Sequence, residues 1–163
     1  MMPEVLFAPW RYEYLVGEKP GGCIFCEAAA STNEEESLIV HRGRRVFTLL
    51  NRYPYTNGHL MVAPYEHHAR LSQSDAETLN ELIATVARSE KILSDSYRTD
   101  GLNVGVNLGS AAGAGIESHY HVHVVPRWNG DTNFMTVAGS VRVVPEDLAV
   151  TRRRLAPLFG APA

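Results

Sequence analysis

Two short apolar runs, Leu38-Ile39-Val40 and Val46-Phe47-Thr48-Leu49-Leu50, flank the polar stretch that ends in Arg44-Arg45, which predicts two neighbouring strands. Asn51 to Gly58 is dense in turn formers and closes on Asn57-Gly58. His59-Leu60-Met61-Val62-Ala63 then reads as the returning strand of an antiparallel pair, ended by Pro64-Tyr65-Glu66-His67-His68. From Ser72 the period changes. Leu79, Leu82, Ile83, Val86, Ile92 and Leu93 recur at helical spacing for burial on one side, and Ser72-Gln73-Ser74-Asp75 resembles a capping box at the start of one long helix. Leu102 to Leu108 alternates around Val104 and Val106 as a further strand, and the small-residue loop Gly109 to Gly115 leads into a last central strand. Asn129-Gly130-Asp131 is a turn, Ser140 to Val144 is rich in β-formers, and Pro145 with Glu146 and Asp147 opens a helix reaching Phe159. The expectation is an α+β domain: an antiparallel sheet of about five strands, one long helix across it and a C-terminal helix.

The last central strand carries the chemistry. In His119-Tyr120-His121-Val122-His123-Val124-Val125-Pro126-Arg127-Trp128, strand periodicity sets His119, His121 and His123 on one face, about 6–7 Å apart. Tyr120, Val122 and Val124 point the other way, into a core. Histidine is only middling in its tendency to be buried, and each buried ring needs a partner for its N–H. Three imidazoles in strict alternation are therefore hard to explain as packing.

Composition narrows the class. With 163 residues, 45% hydrophobic and 20% charged, the chain is one globular domain of common size. No repeat or linker divides residues 1–163. They comprise an aromatic arm at 1–20 with Pro9, Trp10, Tyr12 and Tyr14, a core at 21–144, and a C-terminal helix and tail at 145–163. A net charge of −3 argues against broad electrostatic binding to nucleic acid, yet leaves room for a locally positive pocket that takes a small anion. No apolar run approaches membrane-spanning length and no secretory signal is expected, so neither membrane nor export is predicted. The two cysteines, Cys23 and Cys26, are too few for a disulfide framework, and a reducing cytoplasm is the expectation. Two thiolates at this spacing can share one zinc, although a redox pair or two idle cysteines read equally well. Ser31 to Ser37 is a polar acidic loop, read as solvated surface.

Two chemistries want three aligned histidines. Three imidazoles and a water make a catalytic zinc site. Alternatively one imidazole attacks phosphorus while its neighbours fix its tautomer and stabilise charge. The second is favoured, because Gly109 to Gly115 sits directly before the histidines and can offer backbone N–H groups to phosphate oxygens.

The run His119 to His123 followed by Val124-Val125-Pro126-Arg127 resembles the signature of the histidine triad family. Pro9-Trp10-Arg11, the Cys23–Cys26 pair, Leu50 to Tyr55, Gly58 to Val62 and Pro126 to Phe134 are similar to one branch of it, the diadenosine tetraphosphate phosphorylases, hydrolases and ATP adenylyltransferase-like proteins. The likeness covers about Pro9 to Val144. It implies the histidine triad fold and a twofold homodimer. It also implies an enzyme that moves or cleaves a nucleoside 5′-phosphoryl group, acting on an adenine nucleotide or dinucleoside polyphosphate through a nucleotidyl-histidine intermediate. By the same resemblance His121 is the nucleophile, His123 holds its tautomer, His119 belongs to the catalytic set, and His59 lies near the nucleotide. Leu49, Asn51 and Met61 fall on the base and ribose side, and Asn107, Gly113 and Gly115 on the phosphate side. Cys23, Cys26, His67 and His119 match the ligands of a structural zinc, while His41 and His68 are read as surface or structural. Two other readings remain: a nucleotide-binding signalling protein with incidental turnover, and a tri-histidine metallohydrolase.

Overall fold

The computed structural model describes residues 22–131 and 146–160. The aromatic arm, the β-rich piece at 140–144, Pro145 and the end of the tail therefore lie outside the described residues. Five strands, β1 (Ile39–Arg42), β2 (Val46–Leu50), β3 (Leu60–Pro64), β4 (Gly101–Val106) and β5 (Val122–Arg127), form one antiparallel sheet in the order β1-β2-β3-β5-β4. The helices are α1 (Ile24–Ala30), the single turn α2 (Glu34–Ser37), α3 (Ala76–Tyr97) and α4 (Leu148–Gly160).

The two faces of the sheet carry different loads. On one, α3 and α4 cover a main core that includes Val46, Leu50, Leu60, Val62, Leu82, Val86, Leu93, Tyr120, Val122, Val124 and Leu155. On the other, α1 presses Phe25 and Ala28 onto Ile39, Phe47, Leu49, Met61 and Ala63. Every residue of β2 and β3 is buried, which is why both strands read as continuous apolar runs and not as alternation. Burying Phe25 completely stabilises this second layer by roughly 1.5–3 kcal/mol.

The long helix begins later than the sequence suggests. Asp75 is its cap, with Oδ1 accepting from the Thr78 N–H at 2.7 Å, and Ser72 lies in a preceding 3-10 turn, Leu71–Gln73. Ile83 was expected in the core but is 64% exposed. It stands about 100° around the helix from Leu82, past the edge of the apolar stripe. The acidic stretch is also more ordered than a solvated loop. Asn33 caps α2, and Glu34 reaches Arg152 of α4 at 2.7 Å. That pair ties the α1–β1 connection to the C-terminal helix.

Gly58 marks the tightest joint. Its φ of +76° suits glycine, and a Cβ there would sit 3.1 Å from the Tyr97 ring and 3.2 Å from Leu93. This close approach seats the loop before β3 against α3 and so fixes where β3 and His59 begin. The chain next crosses the sheet as α3 and lays down β4 at the edge. It then returns as β5 between β3 and β4, with Met61 opposite His123 and Gly105 on His123's other side.

Candidate active site

Only His123 lies within a strand by hydrogen bonding. His119 and His121 sit in the extended lead-in to β5, yet they continue its alternation. Tyr120, Val122 and Val124 enter the main core, as their spacing predicts. The Phe25 ring of α1 stands against both lead-in histidines, with centroids 5.2 Å from His119 and 4.5 Å from His121. On its other flank His121 meets His123 edge-on at 4.7 Å.

Backbone groups fix the tautomers along this row. The His119 carbonyl lies 3.1 Å from His121 Nδ1; a carbonyl only accepts, so Nδ1 carries the proton and Nε2 the lone pair. The family resemblance assigns this orienting task to His123. The structure gives it to a peptide oxygen two residues upstream, because extended backbone brings that oxygen within reach of the ring. His59 is fully buried, and its Nδ1 accepts from the Tyr55 N–H at 3.2 Å, with the Asn51 amide at 3.3 Å. Its proton therefore sits on Nε2 and is donated to His123 Nδ1 at 2.9 Å. His123 is left with its own proton on Nε2. This contact is diagonal across strands: His123 pairs with Met61, and His59 is two residues before Met61 on the same face.

Burial lowers the pKa of His121, and it lowers that of His123 to about 4, with the His121 charge adding to the effect. Both rings are thus neutral at pH 7, one presenting a lone pair and the other a proton.

His119 serves a second cluster. Its Nε2–H is donated to the Pro64 carbonyl at 2.9 Å, which turns the Nδ1 lone pair toward Cys23 Sγ at 3.3 Å and Cys26 Sγ at 3.6 Å. His67 Nδ1 lies 3.2 Å from Cys26 Sγ, and the four ligand atoms are all within 4.8 Å of one another. A tetrahedral zinc with bonds of about 2.3 Å to sulfur and 2.0 Å to nitrogen spaces neighbouring ligands about 3.5 Å apart. Two thiols and two imidazoles at these separations fit such an ion. His68 is turned away, pairing with Glu66 at 3.3 Å, while its carbonyl accepts from the Tyr120 N–H. The tri-histidine arrangement does not form. His119 Nδ1 faces the thiols, His121 Nδ1 its own backbone, and His123 Nδ1 the ring of His59.

The remaining predicted residues separate into two groups. Leu49 and Met61 are buried opposite each other on the α1 face. Asn51 is engaged locally, its amide at His59 and its Oδ1 accepting from the Tyr53 N–H at 2.9 Å. Asn107 follows the Val106–Val122 pair, so the register carries it alongside His121. Gly113, at φ +79°, ends a short 3-10 turn. Gly115 lines a cavity of about 460 Å³ with Cys23, His67, Ile116, Glu117 and Ser118. His41 is half-buried and stacks on Phe159. Phe25 and Pro64 escaped the sequence reading; the signal for Phe25 was its place between the two cysteines, whereas nothing in the sequence marks the Pro64 carbonyl.

Residues 32–130 match the HIT domain family. The chain belongs to the HIT family. Among HIT proteins, it is 46% identical over 125 residues to AP-4-A phosphorylase of Mycobacterium tuberculosis, a match covering 76% of this chain and 64% of that protein's length. A Zn-bound histidine triad family protein from Mycobacterium smegmatis superposes with a TM-score of 0.68 at 28% identity, covering 85% of this chain and 94% of that one. A hypothetical histidine triad nucleotide-binding protein from Sulfolobus tokodaii gives the same TM-score and identity over 85% and 92%. The five-stranded antiparallel sheet with its helices is the HIT fold.

Proposed function

We propose that this HIT protein is a nucleotidyltransferase that takes a nucleoside 5′-phosphoryl group from a dinucleoside polyphosphate and passes it to inorganic phosphate or water. The observation that carries the reading is the contact between the His119 carbonyl and His121 Nδ1, which leaves a neutral imidazole with its lone pair on Nε2. His121 Nε2 attacks the α-phosphorus and a P–N bond forms as the P–O bond to the departing polyphosphate breaks. His123 Nε2–H, held in place by the His59 hydrogen bond on Nδ1, donates a hydrogen bond to the leaving oxygen, which departs as the polyphosphate anion. In the second half an oxygen of the acceptor attacks phosphorus and the P–N bond breaks, its electron pair returning to His121 Nε2; inorganic phosphate attacks as its anion, and water releases its proton to solvent. The relation to AP-4-A phosphorylase favours diadenosine tetraphosphate as donor and phosphate as acceptor.

In this reading Leu49 and Met61 lie on the base side, Asn51 near the ribose, and Asn107, Gly113 and Gly115 on the phosphate side. Cys23, Cys26, His67 and His119 hold a zinc whose four protein ligands leave no open position, so it stiffens the lead-in to β5 and takes no part in bond making. The working unit is a homodimer, supported by strand β4, which among the described residues has a single neighbour and exposes Asn103, Val104 and Gly105. Among the described residues no helix is long and apolar enough to cross a membrane; the two free thiols, Cys23 and Cys26, favour a reducing compartment, the cytoplasm, for the reaction.

The test is incubation with diadenosine tetraphosphate, with and without inorganic phosphate. ADP and ATP formed only with phosphate mark a phosphorylase; AMP and ATP formed without it mark a hydrolase. Binding without either product would overturn the enzymatic reading in favour of a nucleotide sensor.

A further inference from the structure

The side chain of Tyr55 is left unused by the chemistry above, although its ring stands against His59 and His123. Tyr55 donates its backbone N–H to His59 Nδ1. Its ring lies 4.6 Å from the His59 ring and 5.9 Å from that of His123, nearly parallel to the latter at 29°. One side of the phenol ring is thus backed by imidazoles, yet the residue remains 44% exposed. A large aromatic ring left half in water beside a reaction centre is suited to stacking on a flat ligand.

Direction matters as much as exposure. Phe25 closes one flank of His121 and His123 the other. A leaving group hydrogen-bonded by His123 Nε2–H departs on the flank away from Phe25 and the Cys-His cluster. Beyond His123 on that flank stands Tyr55. Among the described residues the strand surface opposite is open: Gly105, paired with His123, is exposed, and a Cβ built on it meets none of them within 4 Å. A polyphosphate crossing His123 therefore has open sheet on one side and an exposed aromatic ring on the other.

We infer that Tyr55 is a stacking subsite for the second base of a dinucleoside polyphosphate, the nucleoside carried by the leaving group. The inference rests on the adenylyl-transfer reading of the site. It makes Tyr55 a specificity-determining residue, selecting donors with a base at both ends over those with one. Stacking is tolerant of base identity, because every base has a π-face, so the subsite selects for the presence of a second base and not for its kind.

Adenosine 5′-tetraphosphate supplies the control, since it has the same phosphate chain and one adenosine fewer than diadenosine tetraphosphate. The readout is the ratio of kcat/KM for the two donors in the wild type, Tyr55→Phe and Tyr55→Ala, each checked for folding by its thermal melt. Tyr55→Ala should lower the two-base over one-base ratio about tenfold, the scale of one lost base–aromatic stack. Tyr55→Phe, which keeps the ring, should hold the ratio within about twofold. An unchanged ratio in Tyr55→Ala, with both donors falling together, would mean that the ring only packs on His59, and the inference fails. Should the wild type turn over neither donor, the enzymatic reading fails instead, and the same ratio taken from calorimetric Kd values of the two nucleotides decides the stacking subsite separately.

Discussion

The His119 carbonyl oxygen lies 3.1 Å from His121 Nδ1, while the His119 ring faces the two cysteines through its own Nδ1. One residue thus joins two sites. Its side chain belongs to the Cys23-Cys26-His67-His119 cluster, and its backbone sets the proton position of the next histidine on that face. A shift of the cluster would therefore reach His121 through the His119 peptide unit.

Metal content tests this joint. About one zinc per chain is expected by elemental analysis, and Cys26→Ser should abolish it. A destabilisation of about 2 kcal/mol should appear as a Tm fall of about 4–8 °C for a domain of this size. The effect on turnover should be smaller than that of any change at His121. Full zinc occupancy in Cys23→Ser/Cys26→Ser would place the ligands elsewhere.

His121→Asn separates binding from chemistry. Asn keeps a similar shape and some hydrogen bonding but has no attacking lone pair. Nucleotide affinity should stay near that of the wild type while turnover falls by about three orders of magnitude or more, a loss confined to the transition state. An acid-labile, base-stable nucleotide label on the wild-type ring, trapped by rapid quench, would report the P–N bond directly. Retention of more than about a tenth of turnover, under ~1.4 kcal/mol of barrier, would sink the covalent mechanism.

Much of the site could be read from side-chain pattern alone. The alternation of His119, His121 and His123 with Tyr120, Val122 and Val124 is a property of extended chain, and the structure keeps it even where strand pairing has not begun. The long helix was legible for the same reason, although its start was misread. Ser72 and Asp75 are both cap-forming types, and only the contact to the Thr78 N–H distinguishes them. Carbonyls were not legible. Pro64 fixes the His119 ring across 55 positions, and His119 fixes His121, both through backbone oxygens that every residue possesses. The contact of Tyr55 with His59 Nδ1 was hidden likewise, since it is made by a backbone N–H.

Gly58→Ala probes the joint that seats His59. The added methyl meets the Tyr97 ring and Leu93 at 3.1 and 3.2 Å in a backbone conformation that disfavours L side chains. Strain and displacement together should cost about 1–3 kcal/mol in urea unfolding. Because His59 is the next residue, kcat should fall more than nucleotide affinity. Wild-type stability and kcat together would show that the loop relaxes freely.

Sedimentation tests the dimer. A twofold dimer at micromolar concentration is expected, and Val104→Lys, which puts a charge on the exposed edge strand, should shift it toward monomer. A wild-type monomer under these conditions would refute the dimer.

The pH dependence of stability carries a signature of His123. Its folded pKa is about 4 against 6.5 for the free group, because burial disfavours the imidazolium and the neighbouring His121 adds to the effect. Below pH 6.5 the unfolded chain takes up a proton that the folded site resists. The sign is therefore fixed: the contribution is fully present above pH 6.5 and is lost as pH falls toward 4. At pH 5 the loss from this one ring is on the order of 1–2 kcal/mol. Asp75, Glu81 and Glu146, whose pKa values are lowered, also weaken the fold in acid, but they do so equally in wild type and variant. The comparison to make is urea unfolding at pH 7.5 and pH 5 for the wild type and His123→Asn. His123→Asn should lose less stability over this interval, by about the stated amount. Parallel slopes would mean that His123 titrates in the folded protein as it does in water, and that the neutral, proton-donating form does not persist below neutral pH.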